Sequence, residues 1–222
     1  MKFLAQGSRL VLVAFAALAA SVLSSCTVAD NGQIIFGPVP EEKEPVKKVP
    51  DAQSKYHSSA HHIWVDEKNL DSLTQSNSRV AIDLGEQRAR VYRTGGKGGD
   101  KLIIETQIST GKQGHNTPSG SFRFLEKTVD KKSNLYGKWV DADTGATLIS
   151  DGDIRKPPKS GNGKFRGAPM PYWCRITPGG VGMHIGYVPN YPASHGCIRV
   201  PKQVQPLIYS KIRVGTPVTI TH

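Results

Sequence analysis

The chain is poor in several residue types and patterns that mark particular fold and function classes. Cysteine occurs three times in 222 residues, too few for a disulfide-stapled scaffold. No stretch repeats at the periods of solenoids or propellers. Aromatic residues make up 7% of the chain, and none is set among basic residues as in a nucleic-acid recognition motif. The apolar run Leu10 to Val22 is shorter than the roughly 18–20 residues that cross hydrocarbon. Helical periodicity is scarce: one segment, Pro201 to Ile212, places Val204, Leu207, Ile208 and Ile212 at near-helical spacing behind a proline that a first turn accepts. Acidic side chains are few after Ser78, where 22 Lys+Arg face 10 Asp+Glu and the formal charge of +11 is concentrated. Such a field suggests an acidic partner or a solvated basic surface.

The amino terminus reads as an export signal. Lys2 and Arg9 form a positive n-region, Leu10 to Val22 an apolar h-region, and Leu23-Ser24-Ser25 a small-residue cleavage site before Cys26. The tetrad Leu23-Ser24-Ser25-Cys26 resembles the lipobox of bacterial lipoproteins. That resemblance implies a signal peptide over 1–25, lipidation of Cys26, and a membrane partner engaged through the acyl chains. Thr27 stands where an Asp would retain such a protein, implying the periplasmic side of the outer membrane in a diderm host. An exported chain does not meet nucleic acid, so anionic wall polymer or a membrane surface is the better acidic partner.

Residues 26–78 are polar and proline-rich, with Pro38, Pro40, Pro45 and Pro50 among glutamates and lysines. This composition buries no core and predicts a flexible tether. His57, His61 and His62 fall within it, and no second cluster there completes a metal site. From Arg79 the pattern changes. Val80, Ile82 and Leu84 alternate with Ala81 and Asp83, a Gly85-Glu86-Gln87 turn follows, and Ala89–Tyr92 resumes extended chain, which predicts a hairpin. A glycine-rich turn over 95–100 leads to a third strand at Leu102–Ile108. Further strands are predicted at Ser121–Leu125, Ala146–Ile149, Tyr172–Ile176, Val181–Ile185 and Pro217–Ile220. Residues 79–222 are therefore expected to form one mostly-β domain with one helix.

The chemistry is concentrated in Met183–Val200, which holds His184, His195 and Cys197. A free thiol is mostly protonated at neutral pH and needs a base or a positive field to act as nucleophile. His195 lies two residues from Cys197, and backbone N–H groups at Gly196, Cys197 and Ile198 offer an oxyanion site. Three readings stay open on the residues alone: a Cys–His nucleophile site, a zinc site, or a buried structural cluster. Cys174 reads as a partly buried structural thiol.

Ser194-His195-Gly196-Cys197-Ile198-Arg199, preceded by His184, resembles the signature of the YkuD-type L,D-transpeptidase catalytic domain, also known from the ErfK/YbiS group. Upstream, Ile82–Tyr92 resembles the family's opening hairpin. Ser109-Thr110-Gly111-Lys112 with Thr117-Pro118-Ser119-Gly120-Ser121-Phe122 resembles its STGK and TPxGxF stretch, and Met170–Trp173 resembles the strand before the first catalytic histidine. The resemblance implies a mostly-β, sandwich or barrel-like catalytic domain with one short helix after the cysteine. It implies Cys197 as nucleophile, His184 as base, and His195 and Gly196 around the oxyanion. Arg199 and Ser194 would meet substrate or hold the loop, Tyr172 and Trp173 would line the donor groove, and Thr117, Pro118 and Gly120 would determine the fold. The implied partners are peptidoglycan stem peptides, with no metal or organic cofactor, and the chain is expected to be a monomer. The implied reaction is acyl transfer through a thioester, forming L,D cross-links or anchoring protein to the wall. Its rivals are an L,D-carboxypeptidase or endopeptidase using water, a zinc hydrolase, and a non-catalytic wall-binding lipoprotein.

Overall fold

The computed structural model describes residues 62–222 except Ser160 and Asn190, together with two short strands, β1 (Thr27–Val28) and β2 (Ile34–Ile35), which pair antiparallel. The export signal, Cys26, His57, His61 and most of the expected tether lie outside the described residues.

The remaining strands are β3 (Ile63–Val65), β4 (Ser78–Asp83), β5 (Arg88–Gly96), β6 (Gly99–Gln107), β7 (Gly120–Arg123), β8 (Glu126–Thr128), β9 (Lys132–Asp141), β10 (Thr147–Asp153), β11 (Gly163–Pro169), β12 (Trp173–Arg175), β13 (Gly182–Ile185), β14 (Ile198–Val200) and β15 (Pro217–Thr221). They form a six-stranded sheet β3-β6-β5-β4-β15-β7, a four-stranded sheet β14-β13-β12-β8 and a three-stranded sheet β10-β9-β11. Among the described residues the architecture is mostly β with one α-helix, α1 (Gln205–Lys211), and none of the sheets closes into a barrel. The expected hairpin is β4–β5. Its alternation buries Val80 and Ile82 while Ala81 and Asp83 stay half-buried, the period of two that a pleated strand imposes. Asp83 Oδ1 accepts the Glu86 N–H at 2.8 Å and so closes the turn.

The core joins both larger sheets to the helix. Val80, Ile82, Val91, Ile104 and Ile220 come from the six-stranded sheet, Cys174, Met183, Ile198 and Val200 from the four-stranded one, and Ile208 from α1, all essentially inaccessible to solvent. The helix is shorter than expected, because residues 202–204 form a turn before it. Lys127 Nζ donates to the Tyr209 and Ile212 carbonyls at 2.7 and 2.5 Å, satisfying the helix's C-terminal acceptors.

Residues 62–78 correct the expected extent of the tether. β3 pairs antiparallel with β6, His62 Nε2 lies 3.2 Å from buried Glu105, and Leu73 enters the main core with 1% exposure. A three-residue strand and one 3₁₀ turn at Leu70–Ser72 are too short to produce a legible hydrophobic period. The three-stranded sheet was also largely hidden. β9 is polar along most of its length, with Trp139 and Val140 its buried residues.

Candidate active site

The four-stranded sheet sorts the reactive groups by face. β13 and β14 pair in parallel, with Met183 beside Ile198 and His184 beside Arg199. Met183, Ile198 and Cys174 point into the core, so the alternation turns His184 and Arg199 to the opposite face. Cys197 stands one residue before β14, two residues from Arg199, and therefore shares the face of His184. The same alternation separates Cys197 from Cys174, and both are free thiols.

His184 is 7% exposed. Its Nδ1 lies 2.8 Å from the Ile185 carbonyl, an acceptor only, so Nδ1 carries the proton and Nε2 keeps its lone pair. Burial pushes the imidazole's pKa down to about 4, opposed by that carbonyl, and Arg199 lowers it further. The ring is neutral at pH 7. The Cys197 sulfur is half-buried and lies 3.8 Å from the Gly180 carbonyl. Burial pushes its pKa up, against the opposing pull of the Gly182 N–H and of Arg199. The resting pair is thus a thiol and a neutral base.

The loop that presents Cys197 is strapped by the segment after β6. Ser109 and Arg199 exchange backbone hydrogen bonds, and Thr110 O accepts from Ala193 and Ser194 N–H. Thr117 Oγ1 accepts the Gly111 N–H at 2.9 Å and donates to the Gly196 carbonyl at 2.7 Å. Thr117 therefore positions the nucleophile loop, beyond its expected fold-determining part. Ser194 is 1% exposed; its Oγ donates to the Cys197 carbonyl at 2.5 Å and accepts the Gly196 N–H at 3.0 Å. It fastens the turn and offers nothing to substrate. Because Gly196 N–H is engaged and Ile198 belongs to the β14 ladder, the Cys197 N–H remains the open backbone donor of the three expected. Gly196 has φ +111°, a region that side chains rarely occupy.

The other expected residues separate. The Arg199 stem lies over Gly186, where an added Cβ would meet its Cγ at 2.8 Å, and its guanidinium has no carboxylate partner among the described residues. Trp173 is 2% exposed and packs beside His184, with ring centroids 6.1 Å apart; it is a wall behind the base and does not line a groove. Tyr172 is half-buried, holds φ +55° and meets Tyr209 edge-on. The His195 ring stacks on Tyr136 at 4.2 Å and puts Nε2 3.5 Å from Asp151. His184, His195 and Cys197 thus do not converge as metal ligands; among the described residues no three His, Cys, Asp or Glu side chains do. Asp151, Tyr136 and His115 around His195 were missed from sequence, since they come from β10, β9 and a turn distant in the chain. The expected lipidation site Cys26 lies outside the described residues.

Residues 77–220 match the YkuD family, the L,D-transpeptidase catalytic domain. Among solved structures the chain is similar to an L,D-transpeptidase from Mycobacterium smegmatis, at 21% identity and a TM-score of 0.48 over 66% of this chain and 59% of that one. It is similar to L,D-transpeptidase 1 of Mycobacterium tuberculosis, at 22% identity and 0.45 over 65% and 62%. An L,D-transpeptidase variant from Enterococcus faecium is 27% identical, with a TM-score of 0.44 over 65% and 50%. The chain spans less than two thirds of the length of each. No curated protein matches.

Proposed function

The chain belongs to the YkuD L,D-transpeptidase catalytic domain family, and from that premise we propose that it is a cysteine-dependent L,D-transpeptidase acting on peptidoglycan tetrapeptide stems through a thioester. The observation that carries this reading is His184: a buried, neutral imidazole with Nδ1 against the Ile185 carbonyl and Nε2 free to accept a proton, on the sheet face of Cys197. Cys197 Sγ attacks the carbonyl of the stem's third residue as its proton passes to His184 Nε2. The tetrahedral oxyanion is met by the Cys197 N–H. When the C–N bond breaks, His184 returns the proton to the departing D-amino acid's nitrogen. Arg199, without an ion partner on that face, suits a substrate carboxylate. An acceptor amine then takes the acyl group from sulfur.

We also propose that the protein is exported, lipidated at Cys26, and works at the peptidoglycan from the membrane that holds it. In support stand the lipobox-like tetrad directly after the h-region and the positive charge concentrated after Ser78. The decisive experiment is incubation with a defined disaccharide-tetrapeptide, read by intact mass and by the muropeptide products. A thioester adduct lacking the terminal D-amino acid is expected, and Cys197→Ala and His184→Ala should each abolish or nearly abolish it, since a general base contributes about 10²–10⁴-fold. No adduct with the unaltered chain would defeat the proposal. Cys26→Ala should leave the protein in the aqueous phase on detergent partitioning; unchanged partitioning would remove the anchor from the reading.

A further inference from the structure

Two residues other than glycine hold left-handed backbone among those described, Gln87 at φ 53° and Tyr172 at φ 55°. There a side chain's Cβ crowds the following carbonyl oxygen, so a bulky residue stays only where its surroundings fix it. For Tyr172 the fixing groups are hydrogen bonds on both of its peptides. Its N–H donates to the Val129 carbonyl at 2.8 Å, and the Pro171 carbonyl before it accepts the Ile185 N–H at 2.9 Å. Its own carbonyl accepts Gln205 Nε2 at 2.9 Å and, more weakly, the Cys174 thiol at 3.6 Å. Gln205, the first residue of α1, is thus the side chain from outside the sheet that holds this turn.

Gln205 is completely buried, and its Oε1 has no hydrogen-bond partner among the described residues. Half of its amide therefore bears the full loss of water, which a leucine or methionine in the same space would avoid. What the amide gains is the bond to Tyr172, whose carbonyl belongs to the peptide that carries Trp173. β12 and β13 run antiparallel with Cys174 opposite Met183, so Trp173 comes opposite His184 on the catalytic face. The indole reaches the base, ring centroids 6.1 Å apart, and lies across Gly182, where an added Cβ would meet it at 2.7 Å. The N–H of Gly182 in turn acts on the Cys197 sulfur. A continuous run of contacts thus leads from α1 to both reacting groups.

Building on the acyl transfer proposed above, we propose that Gln205 is a positioning residue: by holding the Tyr172 carbonyl, its amide keeps the Trp173 indole seated against His184 and so fixes the ring that serves Cys197. Without that bond the Tyr172 backbone relaxes toward the ordinary regions, the peptide to Trp173 turns, and the indole lifts from its seat. Water then reaches the imidazole. Burial is the largest cause of that ring's lowered pKa, the charge acting on it is Arg199 from β14, and Cys197 shares its face as a thiol. On the same face β12 carries Arg175, which Glu126 of β8 engages at 3.5 Å. A change at Gln205 alters none of these charges, so a rise in the His184 pKa reports water admitted beside Trp173.

The test compares the full chain with Gln205→Leu, with Tyr172→Gly, and with the two combined, since glycine takes the left-handed backbone without a clamp. One readout is the titration of the His184 ring by NMR, the other the rate of thioester formation with a disaccharide-tetrapeptide. Gln205→Leu should raise the titration midpoint from about 4 toward the value near 6.5 of a solvated imidazole. It should also slow thioester formation about tenfold or more, the scale of a displaced catalytic group. In the Tyr172→Gly background the same leucine should change both readouts far less. An unmoved His184 titration in Gln205→Leu, or equal changes in the two backgrounds, overturns the proposal. Gln205→Met, which keeps the length and lacks the donor, carries the same comparison where the leucine variant does not fold. If the unaltered chain forms no thioester, the parent reading falls, and the His184 titration by itself still decides the clamp.

Discussion

His184 is neutral because burial is the largest influence on its ring, and its other partners are the Ile185 carbonyl and the Arg199 charge. Cys197 is held as a thiol by the same exclusion of water, so a reagent whose attack His184 does not assist reacts only with the small fraction present as thiolate. Alkylation of the resting enzyme should therefore rise about tenfold per pH unit between pH 6 and 8, following thiolate formation. A rate that is flat from pH 5 to 7 would reveal a standing imidazolium–thiolate pair and refute this account. Cys174, pushed up to about 12 by burial, should not be modified in the same interval. The histidine also links pH to stability. Its folded pKa of about 4 lies below the unfolded value near 6.5, so the unfolded chain binds the extra proton in that window. Stability from this group is complete above pH 6.5 and falls as pH drops to 4, by up to about 3 kcal/mol. In urea titrations His184→Gln should lose less stability than the unaltered protein between pH 6.5 and 4; equal losses would show that another group governs acid sensitivity.

Among elements, the strap before β7 and the loop before β14 act as one unit. Thr117 is 5% exposed and serves two backbone groups, so Thr117→Val leaves the Gly111 N–H and the Gly196 carbonyl without partners. The expected loss is about 1–3 kcal/mol, with slower thioester formation although neither Cys197 nor His184 is touched. Thr117→Ser keeps the hydroxyl and should recover both the melting temperature and the rate. If valine matched threonine in the acylation rate, the strap would have no part in placing the nucleophile. Gly196→Ala tests the same unit from the backbone side. At φ +111° a side chain costs on the order of 1–3 kcal/mol, visible as a lower melting temperature.

For the whole molecule, the folded unit begins before Arg79. A chain starting at Asn77 lacks Leu73 and the edge strand β3, along with the His62–Glu105 contact. Losing a buried leucine alone costs about 2–5 kcal/mol, so this chain should melt well below one starting at Ser54. Equal melting temperatures would mean that residues 62–76 contribute nothing to stability.

The sequence by itself determined the period-2 strands of the first hairpin, the helix near 205–211, and the gathering of His184, Gly196, Cys197 and Arg199 within one short stretch. These signals lie in adjacent or regularly spaced residues, where alternation and turn chemistry act within a few bonds. The tertiary structure alone decided which face each residue takes and what it touches. Parallel pairing of β13 with β14 aligned His184 with the thiol's face, and the antiparallel pairing of β12 with β13 put Trp173 beside it. Packing of β9 and β10 against the loop set the His195 ring against Tyr136 and Asp151. Ser194 and Thr117 became fasteners because their hydroxyls met buried backbone groups contributed by other parts of the chain. Such partners are fixed by burial and strand register, and both arise between segments far apart in sequence.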